Sequence, residues 1–296
     1  MPERAYISRS THLMGATITI SLLPPSNDSQ EEYTAEQLLD DVFELLNIYN
    51  QRFSANDANS ELMQVNHAAG KHPVPVDPEL FELIQIGKKQ SLIPASHLNI
   101  ALGPLVQTWR IGFSDARIPN NDEVAHALSL TDPQLIELDP LSCTVFLAKE
   151  GMKLDLGCLA KGYIADKIAD YLKSQHVMSA LINLGGNIKT IGANVLANRP
   201  WQIGIQDPRQ PRGTNLAVLP ICNQSVVTSG TYERKLQVNE HTYHHILDRK
   251  TGYPVDTQLA SITIISDNSL DGEIWTTRLY GEKPKQLLAR VEQEKG

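Results

Sequence analysis

No apolar stretch in this 296-residue chain approaches the roughly 20 residues needed to cross a bilayer. The first residues, MPERAYISRSTHLMG, carry charge but lack the apolar centre of a signal peptide, and no early cysteine is present to take a lipid. The expectation is a cytoplasmic protein with no membrane span. Cysteine is scarce. Cys143, Cys158 and Cys222 are far apart, odd in number and in no CxxC spacing, which argues against both a disulfide framework and a zinc site. Basic runs are missing and the net charge is −8, so a nucleic-acid partner is not expected. Internal repeats, low-complexity tracts and linker-like breaks are also absent, which leads us to expect one domain spanning residues 1–296.

What the chain does contain is an ordinary globular complement, 41% hydrophobic. Ala16–Leu23 alternates Thr/Ser with Ile/Leu and reads as a strand stopped by Pro24 and Pro25. Apolar residues at helical spacing mark a helix over Gln30–Tyr49, followed by a polar loop, FSANDANSEL. Asp77-Pro78-Glu79 starts a helix through Leu92, as N-cap, first-position proline and first-turn acid. A further helix is expected over Pro119–Leu130, then a hairpin pairing Cys143–Leu147 with Lys153–Leu156. Strands follow at Ala180–Leu184, Ile188–Ile191, Trp201–Ile205, Ala217–Leu219, Val226–Tyr232 and Ser261–Ser266, with the Trp201 and Ala217 strands expected to continue the main sheet. A last helix is expected at Lys285–Glu292. Strand and helix signals do not alternate regularly, which favours an α+β fold over a doubly wound sheet.

The stretch Leu154–Leu172, LDLGCLAKGYIADKIADYL, is the organising one. It leaves a short strand with Asp155 near its end, turns at Gly157-Cys158, and becomes an amphipathic helix. Ile164, Ile168, Tyr171 and Leu172 form its buried face, and Asp166, Lys167, Asp170 and Lys173 its solvent face. Asp155, the Cys158 backbone and Lys161 meet at the helix start, where free N–H groups and the dipole favour an anion. On local pattern alone the plainer reading is favoured, with Asp155 as a cap and Lys161 as a solvated first-turn lysine.

LDLGCLAKGYIAD resembles the signature LDLxxIAKGYAxD of the FAD:protein FMN transferases, the ApbE family. In the same order along the chain lie HLMGATITI, FSANDANSELMQVN, GPLVQTWRIG, LINLGGNI, WQIGIQDP, VVTSGTYER and HHILDRKTGYPVD. The resemblance implies an antiparallel α+β architecture of the T-fold type, with a ligand cleft between two lobes. It implies an enzyme that binds FAD and Mg²⁺ and moves FMN to a Thr or Ser hydroxyl of an acceptor flavoprotein, releasing AMP. By the same resemblance FAD contacts fall to Met14, Phe53, His97, Leu98, Asn99, Asp155, Lys161 and Leu247, and a backbone carbonyl at Cys158 falls to the metal. His245 aligns with the family histidine and is the candidate proton acceptor; His244 is expected to be its solvent-side neighbour. Three positions depart from the pattern: Phe53 replaces a Tyr, Asn99 an Asp and Arg249 a Pro. Many relatives are exported lipoproteins; this chain is expected to depart from that habit unless a signal segment was removed, and its C-terminus is expected to be short of the relatives' usual last strand. Two alternatives stay open, hydrolysis of FAD to FMN and AMP, and FAD binding without turnover.

The metal acid has two candidate registers in SLDGEIWTTRLYG. The family pattern S-x-x-x-D-x-x-x-T, counted from Ser269, places Glu273 and Thr277 four apart on one helical face. The rival, Asp271 with Thr276, spans five residues and works only if the helix begins after Asp271, with Asp271-Gly272 as its cap. The expected ligands are Glu273 and Thr277, with Asp271 as cap or outer carboxylate.

Overall fold

The computed structural model describes residues 5–24, 34–239 and 241–294. In chain order the elements begin β1 (Ile7–Leu13), β2 (Ala16–Leu22), α1 (Ala35–Phe53), α2 (Glu61–His67), β3 (Val74–Pro75), α3 (Pro78–Ser91), α4 (Gly103–Trp109) and α5 (Asn121–Leu128). They continue through β4 (Ile136–Asp139), β5 (Thr144–Leu147), α6 (Ala160–Ser174), β6 (Ala180–Leu184), β7 (Asn187–Ile191), β8 (Trp201–Gln206) and β9 (Asn215–Ile221). The last are β10 (Ser225–Gly230), β11 (Lys235–Val238), β12 (His241–His244), β13 (Ser261–Ser266), α7 (Ser269–Leu279) and α8 (Pro284–Glu294). The chain divides into two compact units: Met1–Asn50, Ala160–Thr228 and Thr263–Glu273 form the first, and Gln51–Leu159, Ser229–Ile262 and Ile274–Gly296 the second.

The first unit is built on an open sheet in the order β1-β2-β6-β7-β10-β13. Its β1–β2, β2–β6, β6–β7 and β7–β10 ladders are antiparallel. The register sets Ile18 opposite Leu184, Ile20 opposite Ile182 and Leu22 opposite Ala180, and all six are buried. Period-2 alternation thus stacks one apolar row across the two strands. Helix α6 packs against β6 and β7, burying Ile164, Ile168 and Leu172 as its 3.6-residue spacing requires. The β1–β2 turn is Met14-Gly15 with φ of 53° and 68°, the left-handed pair that matches the twist of a two-residue hairpin. β1 itself is rich in Ser and Thr and alternates only between half-buried and exposed positions, so it carries no apolar alternation to announce it. Among the described residues β8 and β9 pair only with each other; the expectation that they extend the main sheet is corrected. With Val226 of β10 they form a satellite core of Trp201, Ile203, Ile221 and Val226, with the Tyr6 ring tilted against Trp201 at 5.1 Å.

The second unit holds a sheet in the order β3-β5-β4 and a hairpin, β11-β12. One of its core clusters gathers Leu105, Trp109, Ile111, Val124, Ala127 and Leu247, with the Trp109 indole donating to the Gly252 carbonyl at 2.9 Å. α3 begins as expected, Asp77 accepting from the Glu79 amide. α5 starts two residues later than expected, behind an Asn120–Glu123 capping box. α2 takes up the last two residues of the expected loop, Glu61 and Leu62, because Ser60 caps it by accepting from the Met63 amide.

Lys153–Leu156 is not a strand, and the expected hairpin with Cys143–Leu147 does not form: β5 pairs with β4 and β3. The reason is Asn66. Its side-chain amide accepts from the Leu154 amide at 2.7 Å and donates to the Leu154 carbonyl at 3.1 Å. Both groups a ladder would use are thereby taken. The helix expected over Gln30–Tyr49 is α1; residues 30–33 lie outside the described residues, as does Pro25, and the helix runs on to a buried Phe53. Among the described residues no helix is long and apolar enough to cross a membrane.

Candidate active site

Within the first unit, the start of α7 sits on a buried polar network. Asp166 of α6 accepts from the Ser269 amide at 2.8 Å and the Leu270 amide at 2.9 Å, filling two of the open donors at the helix N-terminus. Its expected place on a solvated face is therefore corrected: the side chain is 20% exposed and lies 3.4 Å from Lys189. Burial holds the Asp166 carboxyl above its ordinary value, opposed by those two amides and by Lys189. Lys189 also donates to the Asp267 carbonyl, and the Ser269 hydroxyl donates to the Asn187 side-chain oxygen. Asn187 in turn donates to Glu273 Oε1 at 2.9 Å. Lys161 reaches the same oxygen at 3.1 Å, so it is not simply a solvated lysine. Gly162 lets α6 approach α7, since a Cβ there would lie 2.7 Å from the Ser269 carbonyl.

Helix α7 begins at Ser269, so the condition set for the Asp271–Thr276 register, a helix starting after Asp271, is not met. Asp271 is inside the first turn and exposed, taking a 3.3 Å bond from Asn268, so it is not the N-cap. Thr276 and Asp271 therefore point apart, roughly 140° around the helix. Glu273 is 4% exposed and shares its face with Thr277, which is half-buried.

Within the second unit, one backbone cluster unites several candidates. The Asp155 amide donates to the Ile100 carbonyl at 2.9 Å and the His97 amide to the Arg278 carbonyl at 3.3 Å. Residues 97–100, Asp155 and the C-terminal half of α7 are thus neighbours. Asp155 Oδ1 accepts from the Gly157 amide at 2.8 Å, closing the turn that carries Cys158 before α6. Phe53, Leu98, Asn99 and Leu247 are buried, and Leu247 belongs to the Trp109 core. The Asn99 amide is already spent, donating to the Thr131 carbonyl at 2.8 Å and accepting from the Ala101 amide at 2.9 Å. Gly103, whose Cβ would lie 2.6 Å from the Lys153 carbonyl, is small because of that backbone. A cavity of about 150 Å³, walled by Asn56, Asn66, Gln107, Arg110, Lys153 and Asp155, is smaller than the roughly 300–1,000 Å³ of whole-ligand sites.

His244, expected on the solvent side, is the one turned inward: its Nε2 is 2.9 Å from the Val255 carbonyl, and burial lowers its pKa. His245 is half-buried, with Nδ1 3.3 Å from the Arg234 carbonyl. Arg249 donates to the carbonyls of Ser91 at 2.7 Å and of Ser96 and Leu98 at 3.2 Å. It therefore ties the loop after His245 to the end of α3 and to residues 96–98. Met14 lies on the β1–β2 turn of the first unit.

Among the described residues no three or more His, Cys, Asp or Glu side chains cluster as a metal cage. The candidate oxygens on α7 are one carboxylate, Glu273, and one hydroxyl, Thr277. Such hard oxygens suit Mg²⁺, which usually leans on one or two carboxylates and on substrate phosphates. Asp166, Asn187, Lys189 and Ser269 were assigned no site role from sequence. Asp166 and Ser269 are nonetheless fixed letters of the two motifs, the closing D of LDLxxIAKGYAxD and the opening S of the α7 pattern.

The chain is 46% identical over 281 residues to an FAD:protein FMN transferase of Klebsiella pneumoniae, covering 95% of this chain and 84% of that one. It is 37% identical over 254 residues to one of Treponema pallidum, covering 82% and 70%. The crystal structure of the Pseudomonas stutzeri flavinyl transferase ApbE, in its apo form, superposes with a TM-score of 0.83 at 25% identity, covering 98% of this chain and 89% of that one. The mixed helical and antiparallel-sheet fold expected from sequence is the fold of that structure. The ApbE family model matches residues 14–296, and the chain belongs to the ApbE family.

Proposed function

We propose that this chain is a Mg²⁺-dependent FAD:protein FMN transferase that attaches FMN to a Thr or Ser hydroxyl of an acceptor flavoprotein. The observation that carries the reading, in a chain of this family, is the buried Glu273 carboxylate held by Lys161 and Asn187, one helical turn before Thr277. The acceptor oxygen forms a bond to the FMN-side phosphorus, the pyrophosphate P–O bond breaks, and AMP leaves with the bridging oxygen. His245 takes the proton that the hydroxyl loses, a task suited to imidazole. Glu273 and Thr277 would hold Mg²⁺, with the Cys158 carbonyl as a further oxygen and Asp271 as an outer carboxylate. When bound, the metal neutralises charge on the pyrophosphate. Asp155 and Lys161 bind FAD with Met14, Phe53 and the 97–99 segment. Leu98, Asn99 and Leu247 bury their side chains, so FAD meets their backbone.

The test is to incubate the chain with FAD, Mg²⁺ and an acceptor domain and look for covalent flavin fluorescence in a denaturing gel. Free FMN and AMP without labelled protein would make the chain a hydrolase; bound, unchanged FAD would make it a carrier. His245→Ala should abolish transfer while FAD binding stays nearly intact, because a proton acceptor acts in the transition state. Glu273→Gln should raise the Mg²⁺ requirement more than Asp271→Asn does; the reverse order would overturn the register.

A further inference from the structure

We propose that Lys161 is a resident counter-ion for Glu273, which a divalent metal must displace, so that metal binds tightly only when an anion takes up the ammonium. The inference rests on the metal reading above and adds an exchange between the two cations. A carboxylate as buried as Glu273, 4% exposed, is costly to keep ionised without a charge partner. Lys161 is that partner at 3.1 Å, and its own side chain is 31% exposed. The pair therefore has one fixed end and one end with access to solvent. Lysine suits the second role, a compact charge on a flexible four-carbon stem.

The two lysines of the network differ in this respect. Lys189 is 5% exposed, bonded to Asp166 and to the Asp267 carbonyl, and has nowhere to go. Asn187, 2% exposed, donates to the same Oε1 and is itself seated by the Ser269 hydroxyl. Glu273 therefore keeps a donor when the ammonium departs, and the carboxylate need not swing. A second cation arriving at Glu273 while Lys161 stays would meet a like charge close by. A phosphate group removes that repulsion by taking the ammonium. Metal and FAD then favour each other's binding, and by linkage each raises the other's affinity by the same factor.

Calorimetric titration of Mg²⁺ into the full chain, with and without saturating FAD, tests the exchange. Wild type should bind Mg²⁺ weakly alone. Lys161→Gln, neutral but still a donor to Glu273, should bind Mg²⁺ alone about tenfold more tightly than wild type, within the range of ordinary coupling. Lys161→Arg, which keeps the charge, should stay at the wild-type value. Tightening by FAD also follows from its own phosphates, so the gain in Lys161→Gln is the deciding quantity. Lys161→Met provides a second neutral variant, and circular dichroism checks that each is folded. Equal or weaker Mg²⁺ binding by the neutral variants would overturn the exchange while leaving the metal site standing. No Mg²⁺ binding by wild type even with FAD would overturn the metal reading, and the exchange with it.

Discussion

Asn99 and Arg249 stand where the family pattern has Asp and Pro, and carbonyl oxygens account for both. Asn99 needs an N–H for the Thr131 carbonyl, which an ionised carboxylate cannot supply. Asn99→Asp should therefore lower stability by about 1–3 kcal/mol in urea denaturation, the cost of a buried acceptor facing an acceptor. FAD affinity should change little, since the side chain is turned to Thr131. His97 and His244 make a second prediction. Burial holds both below the ordinary 6.5. As pH falls through 6.5 the unfolded chain takes up protons that the native histidines resist, so stability present above that pH is lost below it. The slope is at most about 1.4 kcal/mol per pH unit for each histidine. Urea midpoints should fall between pH 7.5 and 5.5, and less steeply when both histidines are replaced by Gln.

Helix α7 carries the acid and hydroxyl assigned to the metal, yet its own sequence supplies a weak start. Ser269 spends its hydroxyl on Asn187, and the cap comes from Asp166 on another helix. Asp166→Ala should cost about 1–2 kcal/mol, the range for losing a cap. Asp166→Asn, keeping one acceptor, should fall between it and wild type by chemical denaturation. Equal stability of all three would mean that water replaces the cap. The same dependence on a remote side chain explains the misread strand at Lys153–Leu156, where composition is strand-like but Asn66 occupies the backbone.

The two units exchange the chain at five places, after Asn50, Leu159, Thr228, Ile262 and Glu273. The first and last of these fall inside α1 and α7. Each unit thus contains part of both helices, and we propose that residues 1–296 behave as one domain. Calorimetry should show a single transition with equal calorimetric and van't Hoff enthalpies; two resolved transitions would refute it.

Local chemistry made much of this legible in the sequence. The Asp77 cap, the β6 and β13 strands, the apolar face of α6 and the acid–Thr spacing of α7 depend on residues within a turn or two of each other. The tertiary structure alone decided which polar side chains meet. Asp166 and the Ser269 amide are 103 residues apart, and Asn66 and Leu154 are 88 apart. Nothing in periodicity or capping reports such pairs, because a buried donor accepts any partner that the fold delivers within hydrogen-bond reach.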